Sequence, residues 1–337
     1  MIIPVRIAPG DRGEPVRDLK HRLAALGFSR PDDEAVDEFG AGTEANVRAF
    51  QAQRRLRVDG ICGPQTWGAL VESGFSLGDR LVYLRSPMLR GDDVAELQRR
   101  LNALGFDAGK EDGIFGPDTE SALREFQRNA GITVDAICGP ETVASLDRLG
   151  SGDRAGSVAL ARERESLLSA RPGLAGRKVF VAVEPGLETL ADVVRGGLVE
   201  GRAAVVLEVA GDDQSALAAE ANRFEADLVV VLRLGDAPVP TCAFYESGAF
   251  RSERGHRAAA CVLEAVAEVV GGPPAEPLGR TDAVLRETRA PAIVCEPVAA
   301  GDPDGMDLLV TKASDIGQAI AAGLRRAADD PAGPAQA

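Results

Sequence analysis

Side chains that commonly bind metals or act as nucleophiles are few in this chain of 337 residues. It contains two histidines, His21 and His256, each on a predicted helix where a surface or capping role is expected rather than metal binding. The five cysteines are Cys62, Cys138, Cys242, Cys261 and Cys295. Their odd number and the lack of a C-x-x-C pair in the sequence fit neither a zinc site nor a redox motif. We therefore expect reduced, mostly buried thiols, which are typical of cytoplasmic proteins.

A further group of polar residues belongs to a motif that occurs twice. Residues 59–66 read DGICGPQT, and residues 135–142 read DAICGPET. Two such blocks indicate a duplicated module. The candidate ligand-binding residues in and near these blocks are Asp59, Trp67, Asp112 and Asp135. A structural role explains each of them equally well, and Trp67 fits a place in the core better than a sugar-stacking surface.

Amphipathic helices are the elements that must position these residues. In each copy, apolar residues recur at spacings of three and four, and a glycine follows them as a helix-ending signal. The two stripes are Val16, Leu19, Leu23 and Leu26 before Gly27, and Val94, Leu97, Leu101 and Leu104 before Gly105. Gly-Pro pairs mark the starts of later helices. The pattern predicts one three-helix module over residues 1–74 and a second over residues 75–150.

These residues resemble the peptidoglycan-binding domain 1 family. The second copy matches the family pattern from Gly91 through Asp112-Gly113 to Thr142. The first copy has an insertion in its first loop and lacks the Asp-Gly turn. The resemblance implies a three-helix fold that docks on cell-wall glycopeptide. Two alternatives stay open, because the modules either bind a muropeptide or peptidoglycan precursor or serve only as a docking scaffold.

The pattern changes after the modules. Glycines and prolines punctuate residues 151–177, which we predict to be a linker. Over residues 178–328, apolar runs typical of buried strands alternate with helical segments. This order predicts an α/β domain with a mostly parallel sheet flanked by helices, and a strand over Thr241–Tyr245 is expected at the sheet edge. Residues 329–337 are predicted to be a disordered tail.

The α/β domain resembles the zinc N-acetylmuramoyl-L-alanine amidases of the amidase 3 family. Its best match runs through residues 284–296, where the family has the stretch that ends in its catalytic glutamate, here Glu296. In that family two histidines and a glutamate hold the zinc that activates water. Leu187 and Arg233 stand at the histidine positions, and Glu188 aligns only loosely with the glutamate. The resemblance thus implies a lost metal site, and we hypothesise that the relict Glu296 pairs with Arg233.

The whole arrangement resembles an actinobacterial branch of that amidase family. Its members are regarded as cytoplasmic regulators that act on the UDP-N-acetylglucosamine enolpyruvyl transferase under serine/threonine kinase control. The resemblance implies a pseudoenzyme without a cofactor. The partners that it implies are a peptidoglycan precursor or muropeptide and a synthesis enzyme such as this transferase. Kinase control is not expected here, because the tail Asp329–Ala337 has no Ser or Thr.

The net charge and the length of the apolar runs limit the classes of partner that are expected. The formal charge is −14 at pH 7. This charge argues against nucleic acids and anionic membrane surfaces as partners, because both bind clustered Lys and Arg. No apolar run is long enough to insert into a membrane. No secretory signal is visible, so a cytoplasmic location is expected. Two alternatives to a non-catalytic regulator are a working zinc amidase and a wall-bound peptidoglycan-binding protein.

Overall fold

The computed structural model describes residues 6–29, 34–149, 172–211, 213–248 and 250–330. The described residues up to 149 form one compact unit, and nearly all of those from 172 onward form a second.

The predicted linker and tail fall largely outside the described ranges. The last six linker residues, 172–177, are described and pack with the second unit. Leu174 is buried in the core of that unit, and the Gly173 N–H donates to the Ala328 carbonyl at 2.9 Å. Of the predicted tail, residues 331–337 lie outside the described ranges.

The first unit contains two helical modules, one for each copy of the repeated motif. The first module consists of α1 (Glu14–Ala25), α2 (Ala41–Gln53) and α3 (Pro64–Glu72), and the second of α4 (Asp92–Ala103), α5 (Pro117–Ala130) and α6 (Pro140–Leu149). The predicted apolar stripes lie in two separate cores. Equivalent edge-to-face ring contacts join Phe28 to Phe50 at 6.1 Å and Phe106 to Phe126 at 5.6 Å.

A short backbone bridge closes each module. Ile7 pairs with Cys62, and Val82 pairs with Cys138, in isolated antiparallel bridges. Both thiols are buried in the cores of their modules. A thiol behaves as a small apolar group in such a position, so packing explains the cysteine of the repeated motif.

A six-stranded sheet forms the centre of the second unit within the described residues. Its strands are β1 (Lys178–Val183), β2 (Ala204–Val209), β3 (Leu228–Leu232), β4 (Thr241–Tyr245), β5 (Leu278–Arg280) and β6 (Ala292–Glu296). Their order across the sheet is β2-β1-β3-β6-β4-β5. The first four in this order are parallel, whereas β4 is antiparallel to β6 and β5 is parallel to β4. The prediction of a mostly parallel sheet is confirmed.

Helices cover both faces of this sheet. They are α7 (Glu188–Glu200), α8 (Gln214–Arg223), α9 (Glu253–Val270), α10 (Ala283–Glu287) and α11 (Pro303–Asp329). Apolar side chains of α7, α9 and α11 share one core with Val179 and Val181 of β1. The intervening Phe180 points to the opposite face, where its ring lies 6.4 Å from that of Phe224 at the end of α8. None of the helices in the described ranges is long and apolar enough to cross a membrane.

The expectation that β4 lies at the sheet edge is wrong. This strand lies between β6 and β5, and β5 forms the edge. Because β5 has only three residues and contains Gly279, it carries no alternating pattern from which a strand is predicted. The central place of β4 brings Thr241 and Cys242 next to the end of β6.

Candidate functional site

Two neighbouring strands bring Arg233 and Glu296 together. Leu232, the last residue of β3, is in register with Cys295 of the parallel strand β6. The next residue on each strand, Arg233 and Glu296, therefore lies at the same edge of the sheet. Arg233 Nε donates to Glu296 Oε1 at 2.9 Å, and both side chains are buried. The predicted Arg233–Glu296 pair is confirmed.

A second arginine reaches Glu296 from the newly found edge strand. Arg280, the last residue of β5, donates through Nη1 to Glu296 Oε1 at 2.8 Å and through Nη2 to Oε2 at 3.2 Å. The hydroxyl of Thr241 donates to Oε2 at 2.5 Å. Each oxygen of the Glu296 carboxylate thus accepts two hydrogen bonds.

A second carboxylate completes what we call the charge cluster, which consists of Arg233, Arg280, Asp282, Glu296 and Thr241. Arg233 Nη2 donates to Asp282 Oδ2 at 2.9 Å. Asp282 is 1% exposed and Glu296 is 2% exposed. Two arginines therefore face two buried carboxylates, so the formal charges within the cluster cancel. Pairing of opposite charges lowers the cost of burying them, although Asp282 Oδ1 is buried without a hydrogen-bond partner in the described part of the chain.

The cluster keeps Glu296 ionised. Burial raises the pKa of this carboxyl group, but Arg233, Arg280 and the Thr241 hydroxyl outweigh burial and lower the pKa to about 2. A carboxylate with so low a pKa is a weak base at neutral pH, because an efficient general base has a pKa near the working pH.

The loop after β3 lies close against Glu296. A Cβ atom placed on Gly235 would lie 3.0 Å from the Glu296 Cβ. The Gly235 N–H donates to the Val298 carbonyl at 2.8 Å, and the Leu234 N–H donates to Glu184 Oε2 at 2.7 Å. Glu184 thereby ties the end of β1 to this loop.

The residues at the implied zinc positions do not fit a zinc ion. Leu187 is buried in the apolar core. The exposed Glu188 carboxylate accepts the Gly186 N–H at 3.0 Å, which lowers the pKa of Glu188. The third position holds Arg233, a permanent cation that cannot donate a lone pair. Within the ranges that the structure describes, no three or more His, Cys, Asp or Glu residues are grouped to hold a metal.

Neither histidine is among the residues of the charge cluster. His21 is exposed on α1, in the first unit. His256 is half-buried near the start of α9, and its ring meets that of Phe244 edge-on at 5.0 Å. Burial and the nearby Arg251 lower the pKa of His256. Its packing therefore gives His256 a structural role in α9.

Two thiols lie beside the charge cluster. Cys242 of β4 and Cys295 of β6 are directly opposite each other, and their sulfur atoms are 3.3 Å apart. Both are buried, and burial together with the neighbouring Cys295 raises the pKa of the Cys242 thiol. This pair occurs because β4 is internal, so its geometry was not predictable from the spacing of the cysteines.

In the first unit, the candidate aspartates belong to a structural arrangement that recurs three times, which we call the glutamine clip. In each clip, Nε2 of a buried glutamine lies 2.7–3.2 Å from an aspartate Oδ1, a backbone carbonyl and a threonine Oγ1. The three clips are Gln51 with Asp59, Ile61 and Thr66; Gln98 with Asp112, Ile114 and Thr119; and Gln127 with Asp135, Ile137 and Thr142.

Each clip fastens a loop to two helices. The aspartate also accepts the N–H of the isoleucine two residues later, a common turn in which the side chain replaces a backbone acceptor. That bond is the main reason why the pKa of Asp135 is lowered. The structure therefore places Asp59, Asp112 and Asp135 in three separate loop contacts and does not bring them together at one surface.

Among the described residues, the second module contains two glutamine clips and the first module contains one. An ion pair takes the place of the missing clip in the first module. Lys20 occupies the position on α1 that corresponds to Gln98 on α4, and its Nζ lies 3.0 Å from Glu34 Oε2. Glu34 in turn accepts the Thr43 hydroxyl at 2.5 Å and the Thr43 N–H at 3.0 Å. Burial raises the pKa of Glu34, but these bonds outweigh burial and lower it to about 2. This pair explains how the first copy closes its loop without the Asp-Gly turn.

Trp67 also has a packing role. It is 6% exposed within the core of the first module, and the guanidinium carbon of Arg22 lies 5.3 Å from the centre of its ring. A ring that stacks on sugars needs an open face. The expected core position of Trp67 is confirmed.

Comparison with known proteins agrees with this architecture. The model of the family described as putative peptidoglycan binding domain matches residues 12–70 and 90–146. The N-acetylmuramoyl-L-alanine amidase CwlM of Mycobacterium tuberculosis is 34% identical over 359 aligned positions, which cover 94% of this chain and 88% of CwlM. The chain belongs to the CwlM family. The resemblances to the peptidoglycan-binding family and to the N-acetylmuramoyl-L-alanine amidases are therefore confirmed at the level of the family.

More distant relatives of the CwlM family match parts of the chain. The N-acetylmuramoyl-L-alanine amidase CwlL of Bacillus licheniformis is 34% identical over 160 positions, 42% of this chain and 44% of CwlL. A solved N-acetylmuramoyl-L-alanine amidase from Clostridium difficile 630 aligns with a TM-score of 0.38 and 17% identity, over 45% of this chain and 97% of that one. The amidase Ami1 from Mycobacterium smegmatis aligns with a TM-score of 0.37 and 13% identity, over 46% and 95%.

Proposed function

We propose that this CwlM-family chain is a non-catalytic, cytoplasmic regulator or scaffold of peptidoglycan biosynthesis. The charge cluster is the observation that supports this proposal most directly. Amide hydrolysis in the amidase family requires a metal-bound water whose pKa is lowered and a carboxylate that accepts its proton. Here Arg233 lies 2.9 Å from Glu296, and both carboxylate oxygens already accept hydrogen bonds. A divalent cation would add positive charge to a cluster whose own charges cancel.

The two modules supply the proposed binding function. Their family model supports recognition of a peptidoglycan-type compound, and we propose a muropeptide or peptidoglycan precursor. The second proposed partner is a synthesis enzyme such as UDP-N-acetylglucosamine enolpyruvyl transferase, as the sequence resemblance implies. Asp59, Asp112 and Asp135 already accept hydrogen bonds within the glutamine clips. We therefore expect other residues to contact these partners.

The thiols support the proposed cytoplasmic location. All five cysteines lie in the described ranges and are free and buried. Free thiols persist in reducing compartments, whereas exported proteins commonly form disulfides. The alternative is that the chain is a wall-bound peptidoglycan-binding protein. Cell fractionation with an antibody against the chain distinguishes the cytoplasm from the cell wall. Recovery in the wall fraction would contradict the cytoplasmic proposal.

A working zinc amidase is the second candidate function. It is favoured by the names of the relatives and by Glu296, which is retained at the end of β6. This function requires Arg233 to leave Glu296 and new ligands to replace Leu187. The two candidates therefore differ in whether the full chain binds zinc in a stoichiometric amount.

The proposed regulatory function is tested by reconstitution. The turnover of purified UDP-N-acetylglucosamine enolpyruvyl transferase is measured with and without the full chain, in the presence and absence of a muropeptide or lipid-linked precursor. We expect a saturable change in turnover together with direct binding of the precursor. Unchanged turnover and no detectable binding of either component would contradict the proposal.

A further inference from the structure

The strand β2 forms one edge of the six-stranded sheet. It pairs with β1 without interruption, from Ala204 opposite Lys178 to Val209 opposite Val183. No strand of the described residues pairs with the outer side of β2. Its residues are exposed or half-buried along the whole strand. An uncovered edge strand is a template for pairing with another strand.

The backbone of β2 presents three residues to this outer side. The N–H groups of Ala204 and Ala210 donate at 2.8 and 2.7 Å to carbonyls at or next to the ends of β1. Even-numbered residues of β2 therefore direct their backbone groups towards β1. These directions alternate along a strand. The N–H and C=O groups that point outward belong to Val205, Leu207 and Val209.

β2 lacks the features that usually protect an edge strand. Natural proteins keep edges from pairing by shortness, lysine, proline or a bulge. The opposite edge of the sheet is short, because β5 has three residues. In contrast, β2 has six residues without lysine or proline, and its register with β1 contains no bulge. The one charged residue of β2 is Glu208, which alternates with Leu207 and Val209 and so points to the other face of the sheet.

The outer side of β2 also carries exposed apolar side chains. Val205 and Leu207 pack partly against the core that α7 covers. Val209 lies on the same face and is 58% exposed. On α7, Gly197 lies against α11. Val199, two residues later, is therefore on the side of α7 turned away from α11, and it is 49% exposed.

An antiparallel second copy of β2 would complement this edge. Around a two-fold axis at Leu207, Val205 of each copy lies opposite Val209 of the other, and the two Leu207 residues face each other. All three outward residues of each copy then exchange backbone hydrogen bonds, and apolar side chains meet apolar side chains. The edge is thus self-complementary, as a two-fold interface requires.

The charges beyond the ends of β2 favour the same orientation. Arg202 precedes the strand and Asp213 follows it, and both are exposed. Antiparallel pairing brings the start of each strand to the end of the other, so Arg202 of each copy lies near Asp213 of the other. Parallel pairing in register would place like charges side by side, which is destabilising.

We propose that β2 pairs with β2 of a second copy of this chain, so that the two sheets become continuous. The pairing also covers Val199 with Val209 of the second copy, because α7 ends at the level where β2 begins. This interface lies outside the proposed regulatory function and does not depend on it.

Sedimentation equilibrium of the full chain tests the association. The concentrations extend from about 1 to about 200 µM, because an interface centred on one pair of strands is small. We expect a reversible equilibrium between monomer and dimer. Val209→Lys puts a charge into the paired edge and should weaken dimerisation by about tenfold or more. Val310→Lys is the matched control, since Val310 is 78% exposed on α11, and it should leave the equilibrium unchanged.

Cross-linking tests the register independently. The five native cysteines are buried. In Leu207→Cys the two new thiols meet at the axis, where paired Cα atoms are about 5.5 Å apart, a separation that a disulfide spans. Mild oxidation should therefore give a covalent dimer, whereas Val310→Cys should remain monomeric.

Three results would overturn the proposal. The first is a parent chain that stays monomeric at every concentration, which would leave the edge to a strand from another protein. The second is a Val209→Lys variant that keeps the melting temperature of the parent chain and dimerises equally well. The third is a folded Leu207→Cys variant that forms no more covalent dimer than Val310→Cys.

Discussion

Replacing Arg233 by methionine tests the energetics of the charge cluster. Arg233 is the residue that contacts both buried carboxylates, Glu296 and Asp282, each at 2.9 Å. Methionine keeps much of the volume of the side chain and removes its charge. Removing one partner of a buried ion pair leaves an uncompensated charge and costs about 3–5 kcal/mol.

The shifted pKa of Glu296 gives a second estimate of this magnitude. The fall from 4.5 to about 2 corresponds to roughly 3 kcal/mol of stabilisation at neutral pH. Because the folded-state pKa is lowered, this stabilisation is present above pH 4.5 and is lost as the pH falls through about 2. Arg233→Met should raise the pKa of Glu296, so the gap between variant and parent should narrow as the pH falls from 4.5.

Chemical denaturation followed by far-ultraviolet circular dichroism measures both effects. At pH 7 we expect Arg233→Met to lower the free energy of unfolding of the α/β domain by about 3–5 kcal/mol. The exposed pair Arg195–Asp192 on α7 supplies the control, because Arg195→Met should cost no more than about 1 kcal/mol. Equal losses in the two variants, or a loss at Arg233 that does not depend on pH, would refute the reasoning.

Three further predictions concern the modules and the thiols. Gln98→Ala should lower the free energy of unfolding of the first unit by about 2–4 kcal/mol, because it leaves buried partners of the glutamine clip unsatisfied; Gln53→Ala, at an exposed position of α2, is the control in the same denaturation assay. Glu34 has a pKa lowered to about 2, so its contribution should be present above pH 4.5 and disappear as the pH falls towards 2, and Glu34→Gln should flatten the pH profile of the melting temperature over that range. Burial raises the pKa of both Cys62 and Cys138 to about 12, so a thiol reagent at pH 8 should label neither residue before denaturation, and rapid native labelling detected by mass spectrometry would contradict their burial.

The helical modules were predictable because their signals are local. Apolar residues three and four apart define one face of a helix, and Gly27 follows α1 with a φ of 89°, a conformation that favours glycine. The pairing of Arg233 with Glu296 was also predictable, because the resemblance to the amidase family places both residues at the former metal site. The first inference needs only short stretches of sequence, whereas the second depends on the family resemblance.

The rest of the charge cluster depends on strand order, which is not local. Arg280 reaches Glu296 because β5 lies beside β4, and Thr241 reaches it because β4 lies beside β6. A three-residue strand that contains Gly279 carries no readable pattern. Asp282 has a sequence signal only in hindsight, since it lies two residues before the stretch that matches the amidase family.

The repeated aspartates show a different limit. The sequence identifies Asp59, Asp112 and Asp135 as members of a motif, but a turn and a binding site select the same residue types. Only the structure shows that each carboxylate accepts a bond from a buried glutamine. The glutamines belong to the family pattern, as in Leu97-Gln98 and Phe126-Gln127, but that pattern does not indicate which aspartate each glutamine contacts.

Zinc binding and hydrolysis by the full chain separate a non-catalytic protein from a working amidase. The chain is incubated with excess zinc, dialysed and analysed for metal, and then mixed with a muropeptide that contains the muramyl-alanine bond, alongside a relative named as an amidase, such as CwlL, as a positive control. We expect no stoichiometric zinc and no cleavage of that bond. One zinc ion bound per chain, together with cleavage that a chelator abolishes and added zinc restores, would contradict this expectation.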